Sequence, residues 1–339
     1  MTLFYKIKMM KKTIFIFSDG KLKRKSNTLF FDGERGKKYI PIENITEIMI
    51  FGEVELNKKA LDFLSQNEVI LHFFNYYGYY IGSFYPREHL NSGYMLLKQA
   101  EHYLDEEKRI VLAKAFVYGA ILNIEKVLSY YANRGKNLSF FQHKIEILKE
   151  NVEDSKDISS LMAIEGNVRD IYYKSFEVIL EESEFLFGKR TKRPPKNPLN
   201  ALISFGNSLI YTTILSEIYK THLDPRIGFL HSTNFRRFTL NLDVAEIFKP
   251  IIVDRLIFSL INKDMIKAKH FEKALDGIIL NEKGRMLFVE ELNKKLQSTI
   301  RHQKLKREVS YRSLIRLELY KIEKHLIGEE PYKPFIARW

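Results

Sequence analysis

Tyr79-Tyr-Ile-Gly-Ser-Phe-Tyr-Pro-Arg-Glu-His-Leu-Asn91 is the stretch at which this chain changes character. Before it, β-branched and aromatic residues come in short runs separated by turn formers; after it, apolar residues recur with the 3.6-residue period of a helix. Pro86 has no backbone N–H to donate and restrains the residue before it to extended backbone, so the strand pattern stops there. The linker is expected over Pro86 to Asn91. The expected fold is α+β: a small β-sandwich-like domain over residues 1–87 and a larger all-α domain over residues 88–339.

Working back from the linker, strands are expected at Val69–Phe74, Ile45–Phe51, Lys38–Pro41, Thr28–Phe31 and Thr13–Phe17, with one helical insert from Asn57 to Asn67. Asp19-Gly20 and Asp32-Gly33 lie between apolar runs, where such pairs favour hairpin turns. The aromatic cluster Phe73, Phe74, Tyr76, Tyr77, Tyr79 and Tyr80 suits either sheet packing or the stacking of nucleic-acid bases. At the N-terminus, lysines interrupt the apolar run of Met1 to Lys12 and no small-residue cleavage pattern follows, so a signal peptide is not expected. Met1, Met9 and Met10 are all candidate starts.

Working forward, helices are expected at Gly93–Tyr131, Leu138–Lys149, Ile158–Glu182, Ala201–Tyr219, Leu240–Ile261, Glu282–Ser298 and Ser310–Leu326. One loop between them stands apart. Phe187-Gly-Lys-Arg-Thr-Lys-Arg-Pro-Pro-Lys-Asn-Pro-Leu199 carries five basic residues, three prolines and no acid. Its prolines stop helices and hold the backbone extended, leaving Lys189, Arg190, Lys192, Arg193 and Lys196 to face either solvent or a phosphate backbone. The basic run Arg301–Arg307 reads as a weaker patch or a linker.

Composition narrows the function. The 339 residues are 45% hydrophobic and 29% charged, the balance of a globular protein with room for two domains. A formal net charge of +13 points to a polyanionic partner, and nucleic acid fits better than a membrane because no basic amphipathic helix dominates. The absence of cysteine excludes disulfides, thiolate zinc sites and a cysteine nucleophile, and it fits a cytoplasmic location. No segment approaches the roughly 20 apolar residues of a membrane span. Neither a phosphate-binding Gly-x-x-x-x-Gly-Lys-Ser/Thr nor a dinucleotide glycine fingerprint occurs.

The candidate chemistry lies in three places. In Phe238-Thr-Leu-Asn-Leu-Asp-Val-Ala-Glu-Ile-Phe-Lys-Pro250, helical spacing puts Asp243 and Glu246 one turn apart beside an apolar face. A third acid, Glu165, lies in Ala163-Ile-Glu-Gly-Asn-Val-Arg169, where Gly166 leaves room for a close approach, and His231 lies in Gly228-Phe-Leu-His-Ser-Thr233. Two readings stay open for these residues. The acids either pair with Arg236, Arg237 or Lys249 on a charged face, or they combine with the imidazole into a divalent-cation site. Carboxylates with one nitrogen suit Mg²⁺ or Mn²⁺, which would serve phosphodiester chemistry.

Ala-x-Glu-Gly followed by Arg-x-x-Tyr, then a histidine, then Leu-Asp-x-x-Glu-x-Phe-Lys-Pro, with Tyr332-Lys-Pro-Phe335 near the C-terminus, resembles the CRISPR-associated protein one family, the integrase of spacer acquisition. The resemblance implies a metal-dependent DNA endonuclease and integrase in which Glu165, His231 and Glu246 hold Mg²⁺ or Mn²⁺ and Asp243 is a further catalytic acid. It implies that a 3′-hydroxyl of a short duplex attacks the CRISPR array, and that reversal and branched-DNA cleavage use the same site. Where the family has Asp or Glu, this chain has Glu246. Asn200 resembles a family asparagine near the catalytic acid and is expected to contact nucleic acid together with the basic loop, with a helix N-cap as its structural alternative. The family also implies a homodimer through the β domain and a complex with CRISPR-associated protein two. From the residues alone, a non-catalytic nucleic-acid-binding protein and a general nuclease on RNA or branched DNA remain as rivals.

Overall fold

In the computed structural model, the residues described are 12–87, 90, 92–181, 183–233, 238–274 and 276–338. The candidate starts, residues 88, 89 and 91 of the expected linker, and Arg236 and Arg237 lie outside them. Two compact units divide between residues 89 and 90.

The first unit holds two four-stranded sheets. One has the order β1 (Lys12–Ile16), β5 (Ile45–Ile50), β7 (Ile70–Phe74), β8 (Tyr80–Phe84), parallel except for the β7–β8 pair. β5 and β7 are buried along nearly their whole length, as central strands covered on both faces are. The other has the order β4 (Gly36–Ile40), β3 (Thr28–Gly33), β2 (Gly20–Lys25), β6 (Val54–Leu56). Leu22, Leu29 and Phe31 of this sheet share one core with Ile48, Ile50 and Leu71 of the first and with Phe63 and Leu64 of helix α1 (Lys58–Gln66).

Asp32-Gly33 leads into a β3–β4 hairpin as expected. Asp19-Gly20 does not form one, because β1 and β2 belong to different sheets. The strand β2, Gly-Lys-Leu-Lys-Arg-Lys, escapes sequence reading because only Leu22 of its side chains enters the core. Of the aromatic cluster, Phe74 is core and stacks on Phe51 at 4.5 Å, whereas Tyr76 is exposed.

The second unit is mainly helical: α2 (Gly93–Leu104), α3 (Glu106–Ala132), α4 (Ser139–Asp154), α5 (Ile158–Leu180), α6 (Pro198–Ile218), α7 (Leu240–Lys249), α8 (Arg255–Asn262), α9 (Glu282–Gln297) and α10 (Tyr311–Leu326). The single helix expected over Gly93–Tyr131 is two, because Asp105 closes α2 and its carboxylate caps α3 by accepting from Lys108 N at 3.0 Å. The all-α expectation needs a second correction. Two hairpins, β9 (Phe271–Ala274) with β10 (Gly277–Leu280) and β11 (Thr299–His302) with β12 (Arg307–Ser310), lie among the helices, and the second contains the basic run expected to be a patch or a linker. Strands this short give little period to read.

α6 is apolar all round and buried along nearly its whole length, as a central helix must be. α7 packs on both α6 and α3, and α5 packs on α3. The helix expected to run from Leu240 to Ile261 is interrupted by a wide π turn over Pro250–Asp254, where proline cannot supply the N–H of a regular helix. The C-terminal Tyr332-Lys-Pro-Phe335 folds back onto this framework. The Tyr332 hydroxyl donates to Glu318 at 2.6 Å, Phe335 stacks on Phe248, and Gly119 of α3 lacks the Cβ that would strike Pro334 at 2.5 Å.

Candidate active site

α5 presents Glu165 and, one turn later, Arg169; α7 presents Asp243, Glu246 and Lys249 at successive turns of one face. The Arg169 guanidinium joins the two helices. Its Nε donates to Glu165 Oε1 at 3.4 Å and its Nη2 donates to Glu246 Oε2. Lys249 Nζ donates to the other Glu246 oxygen and lies 3.4 Å from the Tyr211 hydroxyl. Two acids expected from the sequence, Glu165 and Glu246, are thus brought together. Of the partners considered for them, Lys249 is used and Arg169 is added.

His231 reaches the site on a loop that Asp243 organises from the first turn of α7. Asp243 is fully buried and accepts from Phe229 N at 2.5 Å, Leu230 N at 3.1 Å and His231 N at 2.9 Å, and it is 2.8 Å from His231 Nδ1. Three backbone amides and an imidazole therefore converge on one carboxylate. Gly228 makes this possible, since a Cβ there would come within 2.8 Å of Asp243 Oδ2. On the far side Arg109 Nε holds the Phe229 carbonyl at 2.8 Å. With its oxygens committed to the loop, Asp243 fixes the ring and directs Nε2 away from itself.

Electrostatics separates the two glutamates. Burial, reinforced by the Glu246 charge, pushes the Glu165 carboxyl above its ordinary range despite Arg169. Burial acts on Glu246 in the same direction but is overcome by Arg169, Lys249 and His231, which hold it far below that range. Burial by itself would lower the His231 pKa; the hydrogen bond and charge of Asp243, with the charge of Glu246, raise it instead.

Among the described residues, no three His, Cys, Asp or Glu side chains are drawn close enough to enclose a metal ion. Arg169 and Lys249 provide the positive charge around Glu246. The donor set nevertheless suits a hard divalent cation: two carboxylates repel each other across a shared guanidinium, and an imidazole has one nitrogen committed to an acid. Beside Glu165, the space where a Gly166 Cβ would point is empty to 4 Å.

The basic loop is anchored by neutral groups. Asn200, fully buried in α6, accepts from Arg190 Nη1 at 2.8 Å and Thr191 N at 3.2 Å and donates to the Lys189 carbonyl at 2.9 Å. The helix cap is Asn197, whose side chain accepts from Asn200 N at 2.8 Å. Asn200 therefore holds the loop and has no surface to offer a nucleic acid, a correction to both of its expected roles. Arg190, half-buried, also donates to Ser204 Oγ at 3.0 Å, and the Lys196 amine is bonded to the Asp276 carbonyl. Lys189, Lys192 and Arg193 are exposed. The Lys192 pKa is lowered by partial burial and by the cations Arg190 and Lys249, and it lies within electrostatic reach of Glu165 and Glu246.

The family model described as "CRISPR associated protein Cas1" matches residues 14–294. The chain belongs to the Cas1 family. It is 66% identical over 330 residues to a CRISPR-associated endonuclease Cas1 of Thermodesulfovibrio yellowstonii, spanning 97% of this chain and 100% of that one. It is 51% identical to the Cas1 endonuclease of Thermotoga maritima, over 95% of this chain and 98% of the relative. The solved structure of a Cas1 protein from Thermotoga maritima superposes with a TM-score of 0.87, covering 96% of this chain and all of that one. A casposase bound to its integration product shares the fold at a TM-score of 0.87 and 21% identity, over 97% and 96% of the two chains. The chain is thus a CRISPR-associated endonuclease of the Cas1 type, the integrase of spacer acquisition.

Arg169 is the site residue that sequence reasoning passed over. It carried a signal, because it lies four residues from Glu165 on the same helix.

Proposed function

We propose that Glu165, His231 and Glu246 hold Mg²⁺ or Mn²⁺, and that the site joins a DNA 3′-hydroxyl to a phosphodiester of a CRISPR array. The observation that carries this reading is the pair of repelling carboxylates on α5 and α7, next to an imidazole whose Nδ1 is already committed to Asp243. When bound, the divalent cation supplies a Lewis acid that polarises the phosphodiester and favours ionisation of the attacking oxygen.

The chain's own residues do the rest. Asp243 holds His231 in a single tautomer with its proton at Nδ1. Glu165 retains a proton more readily than an ordinary carboxyl and gives it up when positive charge arrives. Lys249, buried beside Glu246, lies where negative charge grows on the phosphoryl oxygens, in a setting that strengthens its effect. Lys189, Lys192 and Arg193 track the phosphates leading to the site. With water as the nucleophile, the same arrangement cleaves branched DNA.

Assembly with CRISPR-associated protein two and homodimerisation through the β unit belong to the same proposal. A Cas6-RT-Cas1–Cas2 complex contains this fold at a TM-score of 0.85 and 19% identity; this chain is fully covered but spans 37% of that chain. No helix among the described residues is long and apolar enough to cross a membrane.

The test is joining of a 3′-hydroxyl duplex into a supercoiled plasmid carrying a leader and repeat, with Mn²⁺ or Mg²⁺ and the small partner protein. Joined product from the wild type and none from His231→Ala supports the site. Joining by His231→Ala at the wild-type rate removes it.

A further inference from the structure

Below the carboxylate pair the structure leaves three buried polar groups unsatisfied. Arg169 uses Nε and Nη2 on Glu165 and Glu246, while its Nη1 is buried with no hydrogen-bond partner. Neither carboxylate oxygen of Asp254 has a partner, although the residue is fully buried. The Tyr172 hydroxyl, one turn beyond Arg169 on α5, is close enough to act on Asp254 without forming a well-made hydrogen bond. Asp254 and Arg169 feel each other's charge.

This arrangement is unlike a structural ion pair. Glu217, equally buried, shows what such a pair looks like here: Arg312 at 2.7 Å, Arg316 at 2.6 Å and Lys220 at 2.8 Å surround it. Asp254 instead sits at the end of the wide turn that Pro250 introduces, and its proton affinity, pushed up by burial to about 7, reflects a carboxyl without a committed cation.

We propose that Arg169 and Asp254 form a counter-ion exchange: the guanidinium that neutralises Glu246 in this structure transfers to Asp254 and Tyr172 when a divalent cation takes its place between the glutamates. The inference rests on the metal site proposed above. Adding two positive charges beside Arg169 and Lys249 would build repulsion around Glu246; moving one cation onto a waiting acid removes it and satisfies all three orphaned groups. Asp254 is then a positioning residue, acting on the metal site through Arg169.

The experiment is calorimetric titration of Mn²⁺ into the full chain, as wild type, Asp254→Asn, Arg169→Met and the double variant, with thermal melts to establish folding. In the expected result Asp254→Asn weakens Mn²⁺ binding about tenfold, as loss of an outer-shell partner does. Arg169→Met binds at least as tightly as wild type, because the competitor is gone, and adding Asp254→Asn to it changes nothing further. Tyr172→Phe, a milder change, follows the same pattern with a smaller loss, and it replaces Asp254→Asn if that variant does not fold. Wild-type affinity in Asp254→Asn, or a loss that persists in the Arg169→Met background, overturns the exchange while leaving the metal site standing. Absence of Mn²⁺ binding by the wild type overturns the metal site, and the exchange with it.

Discussion

Glu47 with His72 in the β unit, and Asp243 with His231 in the helical unit, are both acid–histidine pairs with a buried carboxylate. In the β unit both ring nitrogens face protein: His72 Nδ1 lies 2.6 Å from Ser83 Oγ, Nε2 lies 3.7 Å from Glu47, and Thr13 donates to the other Glu47 oxygen at 2.6 Å. No part of that ring reaches solvent. In the helical unit only Nδ1 is committed, the ring is partly exposed, and Glu246 lies within electrostatic reach. Residue type is therefore a poor guide to role. What separates a structural histidine from a ligand is the second nitrogen and whatever shares its surroundings.

The sharpest way to break this contrast is to remove each ring in turn. His231→Ala should lower strand joining by about 100-fold or more, since even outer-shell partners of a metal ligand are worth 10- to 100-fold. Its melting temperature should barely change. His72→Ala should do the reverse, keeping activity per folded molecule while losing about 1 to 3 kcal/mol of stability, because a buried, hydrogen-bonded ring is removed. Joining rates and melting curves on the two proteins decide it; equal activity losses would erase the distinction.

Asp243→Ala tests the loop rather than the ligand. Four donors lose their acceptor, so joining should fall about 10- to 100-fold and the melting temperature should fall with it. A loss of joining without a change in melting temperature would make Asp243 a direct catalytic acid instead. A smaller effect is expected at the basic loop. Changing Lys189, Lys192 and Arg193 together to Ala should weaken DNA binding several-fold and flatten its salt dependence by about 0.9 in slope for each phosphate no longer neutralised. An unchanged slope would return the loop to ordinary surface.

The smallest effect concerns pH. The His231 pKa is raised in the fold above its ordinary 6.5, so the stability it contributes is complete below that value and disappears as pH climbs through the folded one. The metal-free protein should lose a little stability across that window, and His231→Gln should remove that share. A wild-type slope that survives in His231→Gln would assign the titration to another group.

The sequence carried much of this without help. The break at Pro86, the strand runs with both faces buried and the helical periods follow from local rules: proline lacks an N–H, and apolar spacing follows the geometry of each element. The motif around Asp243 and Glu246 was equally legible, because neighbours on one helix face are fixed by sequence distance. The short hairpins and β2 were not, since a few residues with one buried side chain hardly differ from a loop.

Tertiary structure decided the rest, because it depends on residues far apart in the chain. It sent Asn200 into the interior to hold the loop whose surface it was expected to share, and gave the helix cap to Asn197. It gave Asp243 to the His231 loop, joined Glu165 to Glu246 through Arg169, and left Asp254 without a cation. Sequence names the groups that carry charge; only their distances and their access to water fix which of them neutralise one another and which remain for a ligand.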